Sequence, residues 1–133
     1  MSESIGFLSC LQLFPVPDME KTSRFYQRLG FKSVPYLQAS DPHICLYRDK
    51  IEIVLIGSQL KSIQPNYLLH GYGYDAYFIC DNQEDFYKEC LESEVTIILP
   101  LSRTDDHNRE FVFEDMDGRR IAVGKKIIPS LSE

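Results

Sequence analysis

The sequence predicts an α+β domain built from two βαβββ modules in a pseudo-twofold arrangement, forming a curved sheet around a cleft. Three observations predict it. An apolar run that stops at prolines leads into an amphipathic helix near residue 19, the same order returns near residue 81, and each helix is followed by three strand-like pieces. A single repetition at this period is too long and too few for a solenoid, but suits two copies of one supersecondary unit packed about a twofold axis. Such a pair of curved sheets leaves a cleft between concave faces, with a helix covering each convex face.

The first module begins with "IGFLSCLQLFPV", an apolar run of strand character that ends at Pro15 and Pro17, where ladder donors are lost. Asp18 then takes the N-cap place of a helix, "MEKTSRFYQRLGF", in which Met19, Ser23, Tyr26 and the Phe25/Leu29 pair fall at helical spacing and Gly30 is the stop. "FKSVPYL", "HICLYRD" and "IEIVLIG" read as strands, the last two joined by a tight turn at Asp49-Lys50. Residues 58–72, "SQLKSIQPNYLLHGY", show no period and read as a connection.

The second module repeats the order. "GYDAYFIC" is a strand, Asp81 the cap, and "NQEDFYKECLES" a helix with Phe86-Tyr87 and Leu91. Strands "VTIILPL", "REFVFED" and "RIAVGKK" follow, the last two joined at Met116-Asp117-Gly118. Matching Phe25 with Phe86 sets the repeat at 61 positions. The modules then run over about 5–57 and 73–126 of one domain, 1–133.

With 133 residues the chain holds one ordinary core. A net charge of −6 argues against nucleic acid, whose binding needs clustered Lys and Arg to displace counterions. No apolar run reaches the roughly 18 to 20 residues that span a membrane. "MSESIGFLSC" lacks a basic start and an apolar stretch, so a cytoplasmic location is expected. Cys10, Cys45, Cys80 and Cys90 form no Cys-x-x-Cys pair and read as small buried hydrophobes of a reducing compartment. Phosphate-binding Gly loops, Gly-x-Ser-x-Gly and His-Glu-x-x-His are all missing.

The stretches "FPVPDMEKTSRFYQRLGF" and "REFVFEDMDGRRIAVG", together with the repeat order, resemble the vicinal oxygen chelate superfamily of glyoxalases, extradiol dioxygenases, fosfomycin-modifying enzymes and bleomycin resistance proteins. Pro-Val-x-Asp before the first helix and Arg-Glu-Phe before the final hairpin look most like the bleomycin-resistance branch. The chain departs from the family at Met116, usually Pro, and at Glu94, often Gly. The resemblance implies a homodimeric binder, acting in antibiotic resistance by sequestering a small molecule, with neither metal, cofactor nor catalytic residue. In the metal-dependent branches, four ligands come from the first, fourth, fifth and eighth strands. Counting from the caps and the Asp115 turn, those positions fall on Leu11, Glu52, Tyr74 and Ala122, one donor in four. Losing only an outer-shell partner typically costs about 10- to 100-fold in metal affinity, so three lost ligands should abolish binding. The alternative is a metal-dependent lyase or dioxygenase of the same superfamily with displaced ligands, for which His70, His107 and Glu52 are the candidates. A domain that serves only a partner protein is a third reading.

An inward Glu52 must find a positive partner or take a proton. A salt bridge to Arg120 or Arg109, an open solvated cleft mouth, and a basic ligand are the three resolutions. Tyr36, Tyr47, Tyr74 and Phe111 lie on strands expected to line the cleft, where aromatic faces hold flat or cationic groups. The candidate ligand-binding set is therefore Tyr36, Tyr47, Glu52, Tyr74, Arg109 and Phe111, for a cationic or aromatic small molecule. "LSRTDDHNRE" is a candidate lid.

Overall fold

A computed structural model describes residues 4–103 and 109–125. The first module comprises β1 (Gln12–Val16), α1 (Met19–Arg28), β2 (Lys32–Tyr36), β3 (His43–Arg48) and β4 (Ile51–Gly57). A short helix, α2 (Asn66–His70), lies in the connection. The second module comprises β5 (Ala76–Ile79), α3 (Gln83–Glu92), β6 (Thr96–Arg103), β7 (Arg109–Glu114) and β8 (Arg120–Gly124). The sheets run β1-β4-β3-β2 and β5-β8-β7-β6, each with its outer parallel pair made by the first and last strands of its module. Two βαβββ modules with curved, open sheets are what the repeat predicts.

The helices show where the repeat was misaligned. Asp18 caps α1 by accepting the Lys21 amide at 3.1 Å, but α3 is capped by Asn82, whose side chain accepts from Asp85, and not by Asp81. The helices start at 19 and 83, an interval of 64 and not 61. Tyr26 and Cys90 are then equivalent, and both are fully buried. Glu94, at φ 59°, occupies the left-handed place that Gly30 fills at φ 86°. Local caps, one residue apart in the second module, decide this register.

Two other expectations shrink. The first strand is only residues 12–16, and Ile5, Phe7 and Leu8 are exposed outside any ladder. The connection contains α2, too short to show a period, started by Pro65 and tied down where the Asn66 amide donates to the Asp75 carboxylate at 3.0 Å. Cys45 and Cys90 are buried as expected, whereas Cys10 is exposed and Cys80 half-buried.

One continuous core takes the helix-side faces of both sheets. Phe14, Val16, Ile53 and Leu55 enter it from the first sheet, Phe78, Phe113, Ile121 and Val123 from the second, with Phe25, Tyr26, Phe86 and Cys90 from the helices. Alternation along each strand puts the intervening residues on the other, outer face. Cys45, Val112 and Ala122 are buried there without joining the core.

The modules meet along a seam crossed by one arginine from each. Arg119 donates to Asp115 at 3.3 Å, to Asp117 at 3.1 Å and to the Pro15 carbonyl, and its guanidinium lies 4.4 Å from the Phe14 ring centre. Tyr26 and Thr22 of α1 donate to Asp115 and Asp117, each at 2.7 Å. Burial pushes the Asp115 carboxyl up from its ordinary range, against the pull of Arg119 and the Tyr26 hydroxyl. The Tyr26 phenol is raised as well, by burial first and then by the Asp115 charge. The turn "DMDGR" is thus a structural latch onto α1 and β1. Among the described residues, no helix is long and apolar enough to cross a membrane.

Candidate functional site

Strand register lays out the outer face of the first sheet as three rows. Tyr36, His43, Ile56 and Pro15 form one, Val34, Cys45, Val54 and Leu13 the next, and Lys32, Tyr47 and Glu52 the third. Leu11, one residue before the paired Gln12–Ile53 position, extends the third row beside Glu52. The face is apolar through its middle, with aromatic and charged groups at both ends. Tyr36 stacks on His43 with ring centres 5.0 Å apart, and the His43 Nδ1 lies 2.7 Å from the Asp41 carbonyl.

Tyr36, Tyr47 and Glu52 are therefore brought onto one face, as the candidate set requires. Glu52 is half-buried and makes no hydrogen bond or ion pair with another described residue. Neither expected arginine reaches it: Arg109 pairs with Glu84, and the Arg120 guanidinium sits 3.6 Å from the Tyr67 ring centre. The Tyr47 phenol is pushed up to about 12 by hydrogen bonding with the Cys45 thiol, then by desolvation and by the charges of Cys45 and Glu52. It stays protonated at neutral pH and can donate.

Three members of the set lie elsewhere. Phe111 is fully buried on the helix side, its ring 4.9 Å from Tyr87 and 6.0 Å from Phe86, so it is core and not ligand shell. Arg109 shares that parity; its carbonyl accepts from Gln83 at 2.9 Å, which holds it against the start of α3. Tyr74 precedes β5 and is exposed, with its carbonyl bonded by Asn66 at 3.1 Å. The residue of β5 that faces outward opposite Ala122 is Tyr77. Its hydroxyl donates to Glu110 of β7 at 2.6 Å, so the side chain crosses β8 over the small residues Ala122 and Gly124. That is what fills the place where an acid was sought.

The same register revises the metal-ligand correspondence. Leu11 stands beside Glu52 in the first sheet, and the equivalent neighbours in the second are Asp75 and Arg120, not Tyr74 and Ala122. Asp75 donates its amide to the Arg120 carbonyl and accepts the Arg120 amide, both at 2.9 Å. Its other carboxylate oxygen caps α2. The four positions thus offer a hydrocarbon, one open carboxylate, one carboxylate already holding two amides, and a cation. This donor set does not fit a divalent ion, which needs several convergent oxygen or nitrogen ligands. Among the described residues, no group of three or more His, Cys, Asp and Glu side chains is placed to hold a metal. His70 ends α2 in an exposed position, and His107, with half of the candidate lid, lies outside the described residues.

Sequence reasoning missed His43, Cys45 and Tyr77. His43 was legible, since it shares Tyr47's parity on β3; Tyr77 was hidden by the one-residue error in the second cap.

Two βαβββ modules with matching parallel edges and a shared core define the paired-module class of α+β proteins. The chain belongs to the Glyoxalase/Bleomycin resistance protein/Dioxygenase superfamily, whose family model matches residues 7–123. Solved structures agree on the fold. A bleomycin-binding protein complexed with bleomycin superposes with a TM-score of 0.72 at 17% identity, covering 91% of this chain and 100% of that one. A bleomycin resistance determinant encoded on transposon Tn5 gives 0.72 at 17% identity, covering 92% and 100%. A superfamily member from Sphaerobacter thermophilus gives 0.70 at 19% identity, covering 90% and 98%. Among curated protein sequences, none matches this chain significantly.

Proposed function

We propose that this protein is a metal-free small-molecule binder of the bleomycin-resistance type, which sequesters a cationic or flat aromatic ligand on the outer face of the first sheet within a homodimer. The observation that carries the reading is Glu52: an open carboxylate beside Tyr47, on an apolar strip that ends in the Tyr36–His43 stack. Aromatic faces and a carboxylate freed from internal pairing suit a cation with a flat body, at about 0.5 to 2 kcal/mol per ring contact. The bleomycin-binding protein and the bleomycin resistance determinant share the fold, and the first supplies the analogy for sequestration. Exposed Leu13, Tyr77, Ile79 and Leu99 on the outer faces favour a second copy that covers them. Unbridged cysteines accord with the cytoplasmic, reducing location expected of the chain.

The test is a thermal-shift screen of cationic and planar aromatic compounds on native protein and on Glu52→Gln. A cationic hit whose stabilisation is lost in the variant supports the reading; one whose stabilisation survives removes Glu52 from the site. Light scattering should give a dimer mass at micromolar concentration, and a monomer mass would count against the subunit arrangement. Protein dialysed against divalent metals should retain none at stoichiometry, whereas a chelator-removable ion would favour the lyase or dioxygenase alternative.

A further inference from the structure

A hollow lies on the helix side of the seam, away from the outer face of the first sheet. Its volume is about 710 Å³, within the roughly 300 to 1,000 Å³ range of small-molecule sites. Phe31, Phe78 and Phe86 form an apolar floor, with Ile51 and Val123 beside them. The β3–β4 turn supplies one wall, and the residues entering α3 supply the other.

Several charged groups around it already have hydrogen-bond or ion-pair partners. Arg48 donates to the Leu29 carbonyl at 2.7 Å and to Glu89 at 3.1 Å, lies 3.9 Å from Asp49, and covers the Phe86 ring. Asp85 is held by the Asn82 side chain at 2.9 Å. Lys125 also lines the hollow and already has an interaction of its own. Lys50 from the first module and Asp81 from the second remain, and neither makes a hydrogen bond or ion pair with another described residue. A singly charged ligand would meet a like charge on one wall, and a neutral ligand would leave both rim charges unanswered.

From this arrangement we infer that the seam hollow is a second binding site, for a small zwitterion with an aromatic or bulky apolar body, of the kind an aromatic amino acid presents. The body rests on the three phenylalanines, the carboxylate turns to Lys50 and the ammonium to Asp81. A ligand held this way bridges the modules beside Arg48 and the Phe31–Phe78 contact, which already span them.

Cys80 lines the hollow and is half-buried, while Cys10 is exposed and outside it, so the two thiols form a built-in reporter and control. The full chain is alkylated with and without millimolar L-phenylalanine, and modification at each cysteine is followed by mass spectrometry. The expected result is a several-fold slowing at Cys80 relative to Cys10, with 3-phenylpropionate and phenethylamine protecting much less at equal concentration. Lys50→Glu and Asp81→Lys, both at exposed positions without partners, should each remove most of the protection while the protein stays folded. Equal protection by all three probes, no protection by any, or full protection in both variants would overturn the proposal. Glu52→Gln should leave Cys80 protection intact, so failure here and failure of the outer-face reading are separately visible.

Discussion

The two arginines that cross the seam do the same chemistry in different surroundings. Arg119 lays its guanidinium on Phe14 and bonds a carbonyl and two carboxylates; Arg48 lays its own on Phe86 and bonds a carbonyl and a carboxylate. The Arg119 and Asp115 side chains are 4% and 0% exposed, whereas Arg48 and Glu89 are 28% and 46% exposed. An ion pair in water is screened and weak, but a buried charge that loses its partner has nothing to replace it. The first end of the seam is therefore held by a buried ion pair and the second by an exposed one, and a hollow lies beside each, of about 350 and 710 Å³.

That contrast can be broken from the tight end first. Arg119→Met strands Asp115 in the core and should lower unfolding free energy by about 3 to 5 kcal/mol in urea titrations. Tyr26→Phe removes one donor to that carboxylate and should cost about 2 kcal/mol by the same measurement. Asp115→Asn tests the sign of the titration. A carboxyl raised above its ordinary value contributes stability that is fully present below the unfolded value of 3.8 and declines as pH rises through the folded value. Wild type should therefore gain most over Asp115→Asn in acid, and the gap should narrow toward neutral pH; a gap that widens would mean that Arg119 outweighs burial. At the loose end, Arg48→Met should cost less than about 1 kcal/mol from the lost exposed pair. A loss as large as that of Arg119→Met would erase the distinction between the ends.

Much of the architecture was legible because it is local. Asp18, the helical spacing of Phe25 and Leu29, Gly30 as a stop, and the turns at Asp49-Lys50 and Met116-Asp117-Gly118 each act within a few residues. The candidate site was legible where alternation was clean: Tyr47 and Glu52 fall on the same face because they oppose each other across β3 and β4. It failed at "REFVFE", where Phe111, Val112 and Phe113 are consecutive apolar residues and the pattern names no inner side. Contact with Phe86 and Tyr87 turned Phe111 inward. It failed also at Tyr74, since Asp81 and Asn82 are both good caps and a one-residue slip exchanges the faces of a strand.

By itself, then, the sequence determined two modules, the order of elements along each and an inward-facing carboxylate at Glu52, because caps, turns and alternation are short-range physics. Only the tertiary structure decided that Tyr77 lies over Ala122, that neither Arg120 nor Arg109 reaches Glu52, and that Asp115 is buried under α1. Those outcomes depend on which side chains meet across strands and across the seam, at separations in sequence that no local pattern encodes.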